Sequence, residues 1–145
     1  METFEYYKLI RNNVQLQDVR LISIECHNLI SESNEGESRE VAVRVKRNVE
    51  LLDDNCAEIT MQAWIGFDDQ EGPFEFTIVY GGLCVSDESL VPEEFKKYAY
   101  DQVVPLLLPY VRECVSSTMA RMNLPIFYLP TLDVLETLKV NEIIE

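Results

Sequence analysis

The chain has 145 residues, 47% hydrophobic and 10% aromatic, with a formal net charge of −14. That length and apolar content predict a single folded domain over residues 1–145 and exclude a disordered acidic chain. The charge would repel phosphates, so no nucleic-acid partner is expected.

In chain order, the opening METFEYYKLI is mixed and acidic rather than a signal sequence, and residues 2–11 read as a short helix or an irregular arm. The stretch VQLQDVRLISIEC, residues 14–26, is β-rich. Val14, Leu16, Ile22, Ile24 and Cys26 share one parity and Val19 and Leu21 the other, which predicts a bulge near Asp18. After the polar loop SESNEGES come two clearer strands. In the first, Val41, Val43, Val45, Val49 and Leu51 alternate with Ala42, Arg44, Lys46, Asn48 and Glu50. In the second, Ala57, Ile59, Met61, Ala63, Ile65 and Phe67 alternate with Glu58, Thr60, Gln62 and Trp64. FEFTIVY supplies a fourth strand, ahead of Gly81-Gly82. Long strands with one apolar and one polar face predict an antiparallel sheet covered mainly on one side.

The period then changes. Pro92 suits a first helical position, with Glu93 and Glu94 in the first turn and Lys96 and Lys97 beyond them. Pro105 and Pro109 predict a break or kink. Beyond them Leu107, Leu108, Val111, Cys114, Val115, Thr118, Met119 and Met122 form a stripe down a helix ending near Asn123. A shorter helix, TLDVLETLKV, follows, with Thr131 as its cap and Leu132, Leu135 and Leu138 as its stripe. Strands first and helices after define an α+β fold, a four-stranded sheet followed by a long and a short helix. No apolar run approaches the roughly 20 residues of a bilayer span, so the protein is expected in the cytoplasm without membrane insertion.

No catalytic constellation assembles from these residues. His27 is the sole histidine, and in a strand its neighbour Cys26 points to the opposite face. Asp68-Asp69 is a weak metal signal, and Gly81-Gly82 lacks the spacing and lysine of a phosphate loop. Cys26, Cys56, Cys84 and Cys114 lie 30, 28 and 30 residues apart, far from zinc or redox spacing, and read as buried thiols in a reducing compartment. The expectation is a non-enzyme without cofactor or metal. The turns are acidic, which ordinarily means only that they are solvated; the functional reading is a docking patch for a basic partner. One sheet does not bury the helix stripe, the tail helix and Ile126, Phe127, Tyr128 and Leu129 together, so apolar surface is left for an interface.

The stretch LLLPYVRECVSSTMARMNLPIFYLPTLDVLETL resembles the C-terminal half of SecB-type export chaperones. Pro109, Tyr110, Arg112 and Glu113 carry the likeness, with Pro125, Leu129, Pro130, Asp133, Leu135 and the Gly81-Gly82 pair. Met122-Asn123-Leu124-Pro125 stands where the family commonly has Gly-Phe-Pro; Asn123 can still take a left-handed conformation.

The resemblance implies an ATP-independent holding chaperone, a homotetramer built as a dimer of dimers, with a Greek-key sheet. The residues alone do not distinguish a Greek key from a meander. It implies apolar grooves for unfolded clients lined by Leu21, Ile22 and Ile24, by Ile126, Phe127 and Leu129, and by Leu132, Leu135 and Leu138. It implies an oligomer interface through Val111, Val115 and Met119, and docking of the translocation motor SecA at Asp68, Asp69, Glu71 and Glu75. A chaperone dedicated to an antitoxin or another single client fits the residues equally well. From another class, the rival is a small α+β protein that encloses an apolar ligand.

Overall fold

The computed structural model describes residues 14–29, 41–67, 72–86 and 91–125. Four strands, β1 (Val14–Asn28), β2 (Ala42–Asp53), β3 (Cys56–Gly66) and β4 (Phe74–Ser86), precede one helix, α1 (Pro92–Arg121). The expected N-terminal arm and final short helix lie outside the described residues.

All pairings are antiparallel and the strand order is β1-β4-β3-β2. β2, β3 and β4 follow one another as neighbours, and β1 returns to lie beside β4. That is a Greek key, not a meander.

Two bulges decide how β1 lies. Its pairing with β4 slips between Leu16 and Asp18 and again between Leu21 and Ser23, leaving Gln17 and Ile22 as the extra residues. The first slip is the one that the change of parity predicts. With both in place, Leu16, Val19, Leu21, Ile24 and Cys26 stand opposite Cys84, Gly82, Tyr80, Ile78 and Phe76, so all share one face. The exception is Ile22. A Cβ on Gly81 would meet its Cδ1 at 2.6 Å, whereas a Cβ on Gly82 would approach Leu107 of the helix at 3.5 Å. Ile22 therefore lies on the face away from the helix. Gly81 and Gly82 sit inside a strand and admit the close crossing of β1; they form no phosphate loop.

The inner face is built by β3 and β4. Ala57, Ile59, Met61, Ala63 and Ile65 are at most 1% exposed, and Phe76, Ile78 and Cys84 are sealed. Helix α1 supplies the opposing layer through Phe95, Ala99, Val103, Val104, Leu107, Val111, Val115 and Met119.

The helix is continuous over 30 residues with Pro105 and Pro109 inside it, so the expected break does not occur. The two prolines are four apart and share one face, half-buried at Pro105 and exposed at Pro109. Each interior proline costs about 3 kcal/mol. Burial of Val103, Val104, Leu107, Leu108 and Val111 at about 1.5–3 kcal/mol each outweighs that cost. Tertiary packing overrides the local break.

The ends of α1 follow their local chemistry. Pro92 opens it, with Glu93 and Glu94 in the first turn. At its end Asn123 takes a left-handed φ of 59°. Leu124 N–H donates to Met119 O at 3.1 Å and Asn123 N–H to Ala120 O at 3.2 Å, a Schellman closure that buries Leu124 beside Met119.

Candidate functional site

One helix does not cover four strands. At ~4.8 Å per strand the outer strands lie about 14 Å apart, against a helix ~10 Å wide. Helix α1 runs over β2, β3 and β4 and touches β1 least. The uncovered inner face of β1 shows in its side chains. Leu21 is 44% exposed and Ile24 38%, although their partners across the ladder, Tyr80 and Ile78, are half-buried and sealed.

On the helix side this strip is bounded by Tyr110, itself 42% exposed. Its ring lies 5.9 Å from that of Tyr80, tilted by 38°, so the two tyrosines join the helix to the sheet along the floor of the strip. Burial, with Cys114 and Glu113 nearby, raises the Tyr80 hydroxyl above the ordinary phenol range, so it is neutral. At the far end Asn28 Nδ2 donates to Met122 O at 3.0 Å and ties the edge strand to the helix terminus. The result is a shallow strip along the edge strand in which Leu21, Ile24 and Tyr110 stand open to water. Chemically it can hold apolar side chains of an extended segment; it is not a deep pocket.

Of the residues expected to bind clients, Leu21 and Ile24 come together here, while Ile22 goes to the opposite face because of the second bulge. Ile126, Phe127, Leu129, Leu132, Leu135 and Leu138 lie outside the described residues. So do Asp68, Asp69 and Glu71 of the expected docking patch. Glu75 is exposed on the outer face of β4, paired across the ladder with His27.

Val111, Val115 and Met119, expected between subunits, are 0%, 0% and 1% exposed within this single chain. They pack in the core that the helix forms with the sheet of its own chain.

His27 Nε2 lies 3.6 Å from Glu25 Oε1 with both side chains largely in water, while Cys26 turns inward toward the core. No group of three or more His, Cys, Asp or Glu side chains there could hold a metal ion, and no described helix is long and apolar enough to cross a membrane. All four cysteines are free thiols. Burial, with Cys56 nearby, pushes the Cys84 thiol up to about 12. Burial also raises Cys114.

A second feature went unread in the sequence. Arg47 falls on the apolar parity of β2 and is buried against α1. Its Nη1 lies 3.8 Å from Asp101 Oδ1 and donates to the Tyr100 carbonyl at 3.1 Å, and its guanidinium sits 3.9 Å above the Tyr100 ring. The available signal was a charge at a position reserved for valine.

The four-stranded sheet backed by one long helix is a fold that this chain shares with a solved SecB-like chaperone. The SecB-like chaperone Rv1957 of Mycobacterium tuberculosis, in complex with a ChAD peptide from the Rv1956 HigA1 antitoxin, superposes with a TM-score of 0.68 at 16% identity. The match covers 90% of this chain and 96% of that one. A protein of unknown function from Streptococcus agalactiae aligns at TM-score 0.48 and 17% identity over 81% of this chain and 97% of its own, too distant to argue from. No protein-family model and no curated protein matches the sequence.

Proposed function

We propose that this chain is an ATP-independent holding chaperone that binds non-native segments of client proteins along the β1 strip. The carrying observation is that Leu21 and Ile24 face the helix side of the sheet yet stay 44% and 38% open to water. A monomeric enzyme or an enclosed-ligand protein would gain by covering them. A strip of this kind supplies broad apolar contact without a polar selectivity pocket, which suits clients that share only their lack of a fold. The fold shared with a chaperone solved on an antitoxin peptide supports the same reading, and so does the net charge of −14, which keeps exposed apolar surface soluble.

In this proposal Ile126, Phe127, Leu129, Leu132, Leu135 and Leu138 extend the apolar surface, and Asp68, Asp69, Glu71 and Glu75 receive SecA. The working form is a tetramer, a dimer of dimers in the cytoplasm, which multiplies the strips available to one client. The antitoxin peptide on the structural neighbour favours one second reading, a chaperone reserved for a single client.

The test is aggregation of a chemically denatured client followed by light scattering without nucleotide. The proposal expects suppression at near-stoichiometric chaperone. Undiminished scattering with several unrelated clients and with a co-encoded antitoxin would dispose of it. Suppression restricted to one client would select the dedicated role.

A further inference from the structure

We infer that the free edge of β2 recognises a second copy of this chain, whose own β2 adds antiparallel to it in the register centred on Asn48. The inference goes beyond the proposed function and does not rest on it. β2 is the outer strand on the side of the sheet opposite β1. From Ala42 to Leu51 its pairing with β3 is unbroken, without the bulges that distort β1. A regular outer strand presents evenly spaced main-chain donors and acceptors to an added strand.

The side chains identify the occupant, because the segment Val45-Lys46-Arg47-Asn48-Val49-Glu50-Leu51 is complementary to itself when reversed. In the register centred on Asn48, Lys46 meets Glu50 of the second copy, and the two-fold symmetry of the pair makes that contact twice. Asn48 meets its own counterpart, and Val45 meets Leu51. Lys46, Asn48 and Glu50 are exposed, while Val45 and Leu51 are half-buried on the other face of the strand. Opposite charges directly across a ladder attract, and like charges repel. Within the chain Glu50 already stands opposite Glu58 of β3. A cation on its open side therefore offsets a like-charge pair that the fold leaves in place.

The neighbouring registers fit less well. Centring the pair on Arg47 sets one guanidinium against the other. Centring it on Val49 puts Lys46 opposite Leu52 and Val45 opposite Asp53, which loses the ion pair and the apolar contact together. In the Asn48 register Arg47 faces Val49 and keeps its own contacts with Asp101 and Tyr100. A lysine on an edge strand commonly deters pairing with other chains. Here the carboxylate four residues further on answers it, so the edge deters strangers and accepts its own kind. The two sheets become one, and the β1 edge of each copy stays free at the outside.

The experiment is disulfide trapping of an Asn48→Cys variant of the full chain in a glutathione redox buffer, read by non-reducing electrophoresis. Residues directly opposite across a ladder have Cα atoms about 4.5–5.5 Å apart, within reach of a disulfide. The parent chain, with its own cysteines, sets the background. The expected result is a covalent dimer well above that background. Adding Lys46→Glu or Glu50→Lys to the Asn48→Cys chain should each cut the dimer roughly tenfold. Mixing those two charge variants should restore it, since each then supplies the charge that the other lacks. Circular dichroism verifies that every variant stays folded. Dimer at background level in the Asn48→Cys chain, undiminished dimer in the charge variants, or no recovery on mixing them would each overturn the assignment.

Discussion

Nη1 of Arg47 on β2 lies 3.8 Å from Oδ1 of Asp101 on α1, with the two side chains 0% and 7% exposed. This pair fastens the helix to an outer strand through charge, where the neighbouring contacts are apolar. An ion pair so far from water is costly to break, because the surviving charge stays buried. Asp101→Asn keeps the shape and removes the counter-charge, and should destabilise the fold by about 3–5 kcal/mol in urea denaturation. A combined Arg47→Met/Asp101→Leu variant should recover most of that loss. Additive losses in the combined variant would mean that the residues act independently.

The two central glycines of β4 should respond unequally to alanine. At Gly82 an added Cβ would sit 2.9 Å from the Asp18 carbonyl oxygen and 2.8 Å from Leu16 Cδ1, so backbone must give way. At Gly81 it meets the Cδ1 of Ile22 at 2.6 Å, the tip of a side chain that is 49% exposed and free to swing. Gly82→Ala should cost about 1–3 kcal/mol and Gly81→Ala well under half as much, read from urea midpoints. The reverse order would contradict the crossing geometry of β1.

Stability should decline on the alkaline side. The Cys84 thiol is raised from 9.0 to about 12 by burial. Its native pKa exceeds its unfolded one, so the native state holds the proton longer. The contribution is intact below about pH 9 and is lost as pH rises toward 12. Raised values at Cys56, Tyr80 and Cys114 act in the same direction. Denaturation from pH 7.5 to 10.5 should show falling stability, with a shallower slope in Cys84→Ala; an unchanged slope would assign the effect to the other groups.

Much of the architecture is written in parity and period. The alternation in β2 and β3 predicts their inner faces except at Arg47, and the change to helical spacing after Pro92 predicts α1. Bulges are harder, because they reset parity without leaving a compositional mark. The first shows because Val19 and Leu21 fall out of step. The second hides at Ile22, whose apolar side chain fits either face, and so the sequence groups Ile22 with Ile24 when the fold groups Leu21 with Ile24. Pro105 and Pro109 mislead for another reason: their cost is local, and the burial that offsets it is decided by a sheet far away in the chain. The exposure of the β1 strip depends on the width of the sheet against the width of one helix, which no window of sequence contains. Arg47 was legible as an anomaly, a charge on an apolar parity, but its partner Asp101 is 54 residues distant.

The account stands on the β1 strip as the surface that holds non-native chains. The most direct measurement is suppression of client aggregation by Leu21→Asp/Ile24→Asp beside the parent chain and an Ile22→Asp control on the opposite face. Both altered positions are already open to water, so stability should change by less than about 1 kcal/mol. The account predicts that the double variant loses most of its holding capacity while the Ile22 variant retains it. Equal holding by all three proteins, each verified as folded, would contradict it.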